Sequence, residues 1–378
     1  MVPAVTPASH FTPTACPRLV VKIGSSLLVD AAGQVRADWL ASVVADVAAR
    51  RAAGQQIVIV SSGAIALGAR RLGLDKGGRA SLEDAQAAAA VGQVALAGVW
   101  QALLAEAGLQ AAQVLLTLGD LEDRRRYLNV AATLARLLSL GAVPVLNEND
   151  TVATSEIRFG DNDRLAARVG QAAGAQGVLL LSDVAGLFTA NPATDPAARP
   201  VPVVKALTPE IMAMATAETR SGMGSGGMAA KLQAAQLAVA AGMPLAISDG
   251  RVPHPLAHFA DSGAGTVFLA RAGARARKAW LAGRLTMAGT LSVDAGAVAA
   301  LARGASLLAA GVRGVEGKFR RGDVVAIAGP DGVVARGLAG YDADDARKII
   351  GLKNEAQGPV LGYAPRAAMV HADHLVMI

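Results

Sequence analysis

A single cysteine, Cys16, in 378 residues leaves no partner for a disulfide and no thiolate set for a metal cluster. Aromatic residues make up only 3% of the chain and charged residues 17%, against 53% hydrophobic residues. So little charge excludes an acidic or basic disordered tail protein; the length suffices for two domains or one large one. Lysine is scarce too: eight stand beside 28 arginines among the 36 basic residues. Arginine is the general surface cation here, so each lysine merits a separate look. The net charge of +6 is unevenly spread. Residues 1–270 balance 21 basic against 21 acidic residues, whereas residues 271–378 carry 15 against nine. The whole excess sits in the C-terminal part, which raises nucleic acid as a partner.

Residues 1–17 lack a basic start and a compact apolar run, so they do not read as a signal peptide. Rich in Pro, Thr and Ala, they read as a disordered extension. The longest uncharged stretch, Ala85–Ala105, has the length of a membrane span. Its alanines, glycines and three glutamines fit a packed helix of a soluble domain better, and a cytoplasmic location is expected.

Apolar runs at 19–23 and 57–60 have the character of buried parallel strands, ending at Gly24-Ser25-Ser26 and Ser61-Ser62-Gly63. Further strands are expected at 113–116, 143–146, 178–181, 245–247 and 266–268. Alanine-rich helices are expected near 37–53, 85–107, 126–140, 163–173 and 229–241. The alternation predicts an α/β sandwich of three layers with a mainly parallel sheet over residues 18–270. A basic, small-residue linker follows at 271–285. Short, glycine-bounded strands at 289–293, 322–327, 332–336 and 360–363 predict a small β-rich domain over 286–378.

Five segments carry chemistry. Lys22 and Gly24 stand at a strand's C-terminal end, where open α/β sheets place ligands. Glycine lets backbone approach an anion there and lysine supplies a mobile point charge, although an ordinary strand end with a surface lysine reads the same. Ser62-Gly63 forms a second glycine turn suited to an anion nest. A serine nucleophile there would need a base, and His10, His254, His258, His371 and His374 show no defined relation to Ser62. Asn147-Glu148-Asn149-Asp150 and Gly160-Asp161-Asn162-Asp163 gather acids and amides suited to an ammonium group or to orienting cations; they lack the spacing of a calcium loop. The run Gly222–Lys231 is no Walker A loop, yet its glycines, the helix start after them and Lys231 suit phosphate. Ser182-Asp183 follows a buried strand and fits a nucleotide-pocket edge or a structural turn equally well. Two lysines near phosphate-shaped loops, with acids between them in sequence, point to phosphoryl transfer, which is mostly positioning and charge neutralisation.

In order and combination, the stretches VVKIGSS (20–26), IVIVSSGAIALG (57–68), PVLNENDTVAT (144–154), FGDNDRLAA (159–167), LLLSDVAGLFTANP (179–192) and SGMGSGGMAAKLQAA (221–235) resemble the glutamate 5-kinases of the amino-acid kinase superfamily. The resemblance implies Lys22, Lys231 and Asp163 as catalytic residues. It implies Ser62, Asp150, Asn162, Asn147 and Asp161 as glutamate contacts. For the nucleotide it implies Lys22, Gly24, Ser25, Ser182, Asp183, and Ser225, Gly226, Gly227, Met228, Ala229, Ala230 and Lys231. The implied reaction forms L-glutamyl 5-phosphate from L-glutamate and ATP, the first step of proline synthesis, with Mg²⁺ held mainly by nucleotide phosphates, proline as inhibitor and a homodimer or homotetramer as the assembly. Another small-acid kinase on the same scaffold is the nearest alternative.

From about Gly289 the sequence resembles a PUA domain, a module often used on RNA. Lys318, Arg320 and Arg321 form a basic turn, with Phe319, Tyr341 and Tyr363 as the few aromatics for base stacking. An RNA-binding accessory protein is therefore the alternative of a different class, though it gives no reason for paired lysines around an acid-rich pocket.

Overall fold

The computed structural model describes residues 7–30, 33–152, 161–216, 227–270, 287–366 and 368–378. Its contacts divide into two compact units, Met1–Asp123 with Asn129–Arg271, and Arg124–Leu128 with Ala272–Ile378.

The first unit is built on an eight-stranded sheet. Its strands are β1 (Arg18–Ile23), β2 (Gln56–Val60), β3 (Ala111–Leu116), β4 (Val143–Glu148), β5 (Gly177–Ser182), β6 (Val203–Val204), β7 (Leu245–Asp249) and β8 (Thr266–Phe268), in the order β3-β4-β2-β1-β5-β7-β8-β6. All pairings are parallel except β7 with β8. β1 lies in the middle, with Lys22 level with Val60 on one side and Leu180 on the other. Five of its six residues are buried, as the apolar run requires of a strand covered on both faces. Because β1, β2, β4 and β5 run the same way, their C-terminal ends share one edge of the sheet.

The helices on this unit are α1 (Ser25–Leu28), α2 (Ala37–Ala52), α3 (Ala64–Leu72), α4 (Leu82–Glu106), α5 (Leu118–Glu122), α6 (Arg124–Ser139, of which residues 124–128 fall in the second unit), α7 (Asp161–Ala173), α8 (Pro209–Thr216), α9 (Gly227–Ala240) and α10 (Pro255–Ser262). Among the described residues only α4 is long and apolar enough to cross a membrane. In the fold it lies against α3, and its small residues explain how. A Cβ on Gly68 would overlap the Ala88 carbonyl, and one on Gly92 the Ala64 carbonyl. The two helix backbones touch where side chains are missing. Ser81 caps α4 by accepting the Asp84 N–H.

The expected loose start of the chain is corrected for residues 7–17. Pro7–Phe11 forms a 3₁₀ turn, and Phe11 is buried edge-on against Phe259, with ring centroids 5.5 Å apart. Gln55 Nε2 donates to the Phe11 carbonyl at 3.1 Å and to that of Cys16 at 2.7 Å. Burial pushes the Cys16 thiol up to about 12, so it stays a packed, protonated side chain.

The second unit holds a five-stranded sheet of β9 (Gly289–Val293), β10 (Val312–Gly317), β11 (Val324–Gly329), β12 (Gly332–Leu338) and β13 (Leu375–Met377), ordered β10-β9-β11-β12-β13. Helices α11 (Ala295–Ala302), α12 (Ala343–Lys348) and α13 (Asn354–Leu361) accompany it. The strand expected at 360–363 is instead the end of α13 and its cap, where Gly362 turns left-handed and donates to the Gly358 carbonyl. Phe319 and Tyr341 are core residues here, with Leu291, Ile327 and Ile349 around them. Their burial removes them as stacking platforms for bases. The basic linker expected at 271–285 lies outside the described residues.

Candidate active site

The strand-end edge collects the candidate residues from several elements. Lys22 leaves β1 one residue before its end. Asp163 stands on the first turn of α7 and Lys231 on the second turn of α9, two helices that pack together. Lys22 Nζ lies 2.5 Å from Asp163 Oδ1, and Lys231 Nζ lies 3.2 Å from Asp163 Oδ2. One carboxylate thus holds two ammonium groups, one on each oxygen. Lys231 also donates to the Gly227 carbonyl at 3.3 Å. All three side chains are buried, Asp163 completely.

Burial of the Lys22 ammonium holds it below the usual lysine range; Asp163 opposes that shift and the like charge of Lys231 adds to it. For Asp163, burial works to raise the carboxyl, but Lys22 and Lys231 with their hydrogen bonds outweigh it and hold it below the usual carboxylate range. The trio thus sets two amino groups on the two oxygens of one buried carboxylate at the sheet edge. Gly24 leaves the space beside it open: a Cβ there would stand 4.0 Å from Lys22 Nζ and 3.7 Å from the Leu181 carbonyl oxygen.

On one flank lies an amide and hydroxyl cluster. Asn162, next to Asp163, donates from Nδ2 to Ser62 Oγ at 2.9 Å, to Asn147 Oδ1 at 3.0 Å and to the Ser61 carbonyl at 3.2 Å. Asn162 Oδ1 is shielded from solvent and accepts no hydrogen bond among the described residues. Asp150 is buried at the start of a 3₁₀ turn after β4. It draws on the Arg79 guanidinium, whose pKa burial lowers and Asp150 raises. The Ser62-Gly63 turn is left-handed at Gly63, with φ 101°, and opens directly into α3. Ser62 meets an amide and not an imidazole; His254, which pairs with Asp46 at 2.9 Å, belongs to another part of the unit.

On the other flank, Ser182 Oγ and Ser26 Oγ both donate to Asp183, at 3.1 and 3.3 Å. This ties α1 to the residue that follows β5. Ser25 begins α1 beside them. Gly227 through Ala230 form the first turn of α9, with Met228 and Ala230 buried. Ser225 and Gly226 lie outside the described residues, as does the Asp161 side chain, although Asp161 opens α7.

Other residues at this edge escaped the sequence reading. Asp249 stands level with Ser182 at the end of β7 and grips Arg251 through two contacts, at 2.6 and 2.9 Å. Gln93 and Trp100, from one face of α4, reach Asn147 Nδ2 and Ser61 Oγ at 2.8 and 3.0 Å. The Gln-Val-Ala-Leu stretch after Gly92 carries no motif that would have marked them.

The description "Amino acid kinase family" matches residues 17–249, and "PUA domain" matches residues 289–356. The chain is 62% identical over 364 residues to the glutamate 5-kinase of Novosphingobium aromaticivorans, covering 96% of each chain. It is 62% identical over 371 residues to that of Sphingopyxis alaskensis, covering 98% of this chain and 100% of the relative. The chain belongs to the glutamate 5-kinase family. The glutamate 5-kinase of Zymomonas mobilis is 58% identical over 369 residues, covering 97% of this chain and 93% of the relative. The resemblance read from the strand-end stretches is borne out, and so is the fold: an amino-acid kinase sandwich followed by a PUA domain.

Proposed function

We propose that this chain transfers the γ-phosphoryl group of ATP to the side-chain carboxylate of L-glutamate, giving L-glutamyl 5-phosphate and ADP, the first step of proline synthesis. The observation that carries the reading is the buried Lys22–Asp163–Lys231 trio beside a polar cluster that ends in the bare acceptor Asn162 Oδ1.

The nucleophile needs no general base, because a carboxylate is ionised at neutral pH. What the chain must supply is positioning and neutralisation of the phosphoryl oxygens. Lys22, at the sheet edge, neutralises charge on the moving phosphoryl group, and Lys231 the leaving diphosphate. Asp163 holds the two amino groups apart, one on each oxygen. Asn162 Oδ1 and the Asp150 carboxylate suit the substrate's ammonium group, with Ser62, Asn147 and Asp161 completing that side. Gly24, Ser25, Ser182, Asp183 and residues 225–231 take the nucleotide. Mg²⁺ would enter on the nucleotide phosphates, which would mainly hold it, and supply further charge neutralisation there. Proline inhibition and a homodimer or homotetramer are what the family resemblance implies, and a cytoplasmic location is the expectation read from the sequence. The buried Phe319 and Tyr341 weigh against RNA as the main partner.

The test is ADP release with ATP and L-glutamate, with hydroxylamine added to trap the acyl phosphate as γ-glutamyl hydroxamate. Hydroxamate formed in step with ADP is expected. Its absence with glutamate, or its appearance only with another acid, rejects the assignment.

A further inference from the structure

The Asn162 acceptor is presented by an amide relay whose outer end is Gln93, and we infer that Gln93 is a positioning residue for recognition of the substrate's ammonium group. The inference rests on the glutamate reading above and assigns a role to a residue outside the strand-end motifs. Two backbone groups, which cannot swap donor for acceptor, fix the relay. The Glu148 N–H donates to Asn147 Oδ1 at 2.9 Å, so the oxygen of that amide is settled and Nδ2 must point the other way. The Ser61 carbonyl accepts from Asn162 Nδ2 at 3.2 Å, so the nitrogen of that amide is settled and Oδ1 has no partner among the described residues. Between them, Asn162 Nδ2 donates to Asn147 Oδ1 at 3.0 Å.

The remaining group, Asn147 Nδ2, is a donor on a residue only 3% exposed, and it needs an acceptor. Gln93 Oε1 supplies it at 2.8 Å. Without that acceptor Asn147 Nδ2 is left buried and unpaired, and the side chain gains by shifting toward another acceptor, which strains the bond that its Oδ1 accepts from Asn162 Nδ2. Asn162 would then lose the partner that aligns its amide plane, and the acceptor offered to an ammonium group would move out of line. Trp100, two turns further along α4, donates to Ser61 Oγ at 3.0 Å and holds the other end of the relay in place. Gln93 also borders a cavity of about 90 Å³, so a side chain of similar length has room there.

The experiment uses the full chain, with L-glutamate compared against glutarate, which keeps both carboxylates and lacks the ammonium group. Wild-type hydroxamate formation with glutamate tests the proposed reaction; the variants test Gln93. Gln93→Leu removes the acceptor, and Gln93→Glu keeps an oxygen facing Asn147. The expected result for Gln93→Leu is a KM for glutamate raised about tenfold or more, the scale of a lost hydrogen bond to a charged group, with the KM for ATP within twofold of wild type. Its preference for glutamate over glutarate in kcat/KM should fall by a similar factor, and Gln93→Glu should restore most of it. A general packing defect would lower both substrates together. Equal loss for glutamate and glutarate, or equal behaviour of the Leu and Glu variants, overturns the inference. If Gln93→Leu does not fold, Gln93→Met, of matching length, makes the same comparison.

Discussion

Replacing Asp163 with asparagine keeps the shape of the side chain and removes the one negative charge between two buried ammonium groups. At an effective dielectric of ~20, charges 2.5 and 3.2 Å apart attract by about 7 and about 5 kcal/mol. Desolvation of three buried charges offsets most of that gross attraction. Removing a single member, however, strands the others without a counter-ion, and a loss of about 3–5 kcal/mol is the expected scale. Urea unfolding of wild type and Asp163→Asn at pH 7 measures it directly.

The pH dependence makes the expectation sharper. The Asp163 carboxyl is held below its unfolded value of about 3.9, so its stabilisation is complete above that pH and fades as the pH falls through the folded value. The stability gap between wild type and variant should therefore stay constant from pH 7 down to about pH 5 and close only in acid. Lys22 behaves in the opposite sense. Its ammonium is held below the unfolded lysine value of about 10.4, so the folded state sheds its proton first and stability rises with pH between the two values. In the variant no carboxylate holds that proton, so the window opens at lower pH. Since the charged form is what neutralises phosphate, the alkaline limb of the kcat/KM profile for ATP should move to lower pH with it. An alkaline limb left in place, or a stability gap as large in acid as at neutrality, would refute this account of the trio.

Two further substitutions probe the flanks. Asp150→Ala should raise the KM for glutamate about tenfold or more, the scale of a hydrogen bond to a charged group, while leaving the KM for ATP near wild type; an unchanged glutamate KM rejects the contact. Gly92→Ala places a methyl group against the Ala64 carbonyl and should force α3 and α4 apart at a loss of about 1–3 kcal/mol. Because α3 starts at the Ser62-Gly63 turn and α4 carries Gln93, the glutamate KM should rise as the melting temperature falls. A wild-type melting temperature would show that the helices have slack that the structure does not.

The central strands were legible because a strand buried on both faces can only be an unbroken apolar run, and Lys22 stood out as the single charge in such a run. The loops after these strands were legible because parallel strands deliver their ends to one edge, so glycines, serines and acids at those ends had to meet. What stayed hidden depends on contacts between distant parts of the chain. Gln93 has no local signature as a relay partner, because a glutamine on an alanine-rich helix becomes one only when Asn147, 54 residues on, arrives beside it. Phe11 sits in a stretch whose composition predicts disorder, and its order comes from Phe259 and Gln55 rather than from its neighbours. Phe319 and Tyr341 flank polar turns and looked available to bases, yet the small second unit needs them for its core. The triplet Val360-Leu361-Gly362 has the apolar content of a strand but not the length, and the preceding turns of α13 claim it.

The scarcity of lysine now has a structural counterpart. Among the described residues Lys76, Lys205, Lys318, Lys348 and Lys353 are exposed, whereas Lys22 and Lys231 are buried at two places where a compact charge fits. Asp163 offers one oxygen to each. A guanidinium at position 22 would present a planar fork that matches a whole carboxylate, and it would compete for both Asp163 oxygens, displacing Lys231. It would also bring extra volume into a site where Lys22 is 6% exposed and the Gly24 backbone stands close by. Lys22→Arg preserves the formal charge, so a purely electrostatic role predicts that kcat survives. The geometry predicts instead that Lys22→Arg loses kcat nearly as fully as Lys22→Ala, about a hundredfold or more if the removal of one transition-state charge contact is the guide. Circular dichroism and the melting temperature establish that both variants are folded. A Lys22→Arg enzyme with wild-type kcat would mean that charge alone suffices at this position, and that the division of one carboxylate between two ammonium groups is not what the chemistry requires.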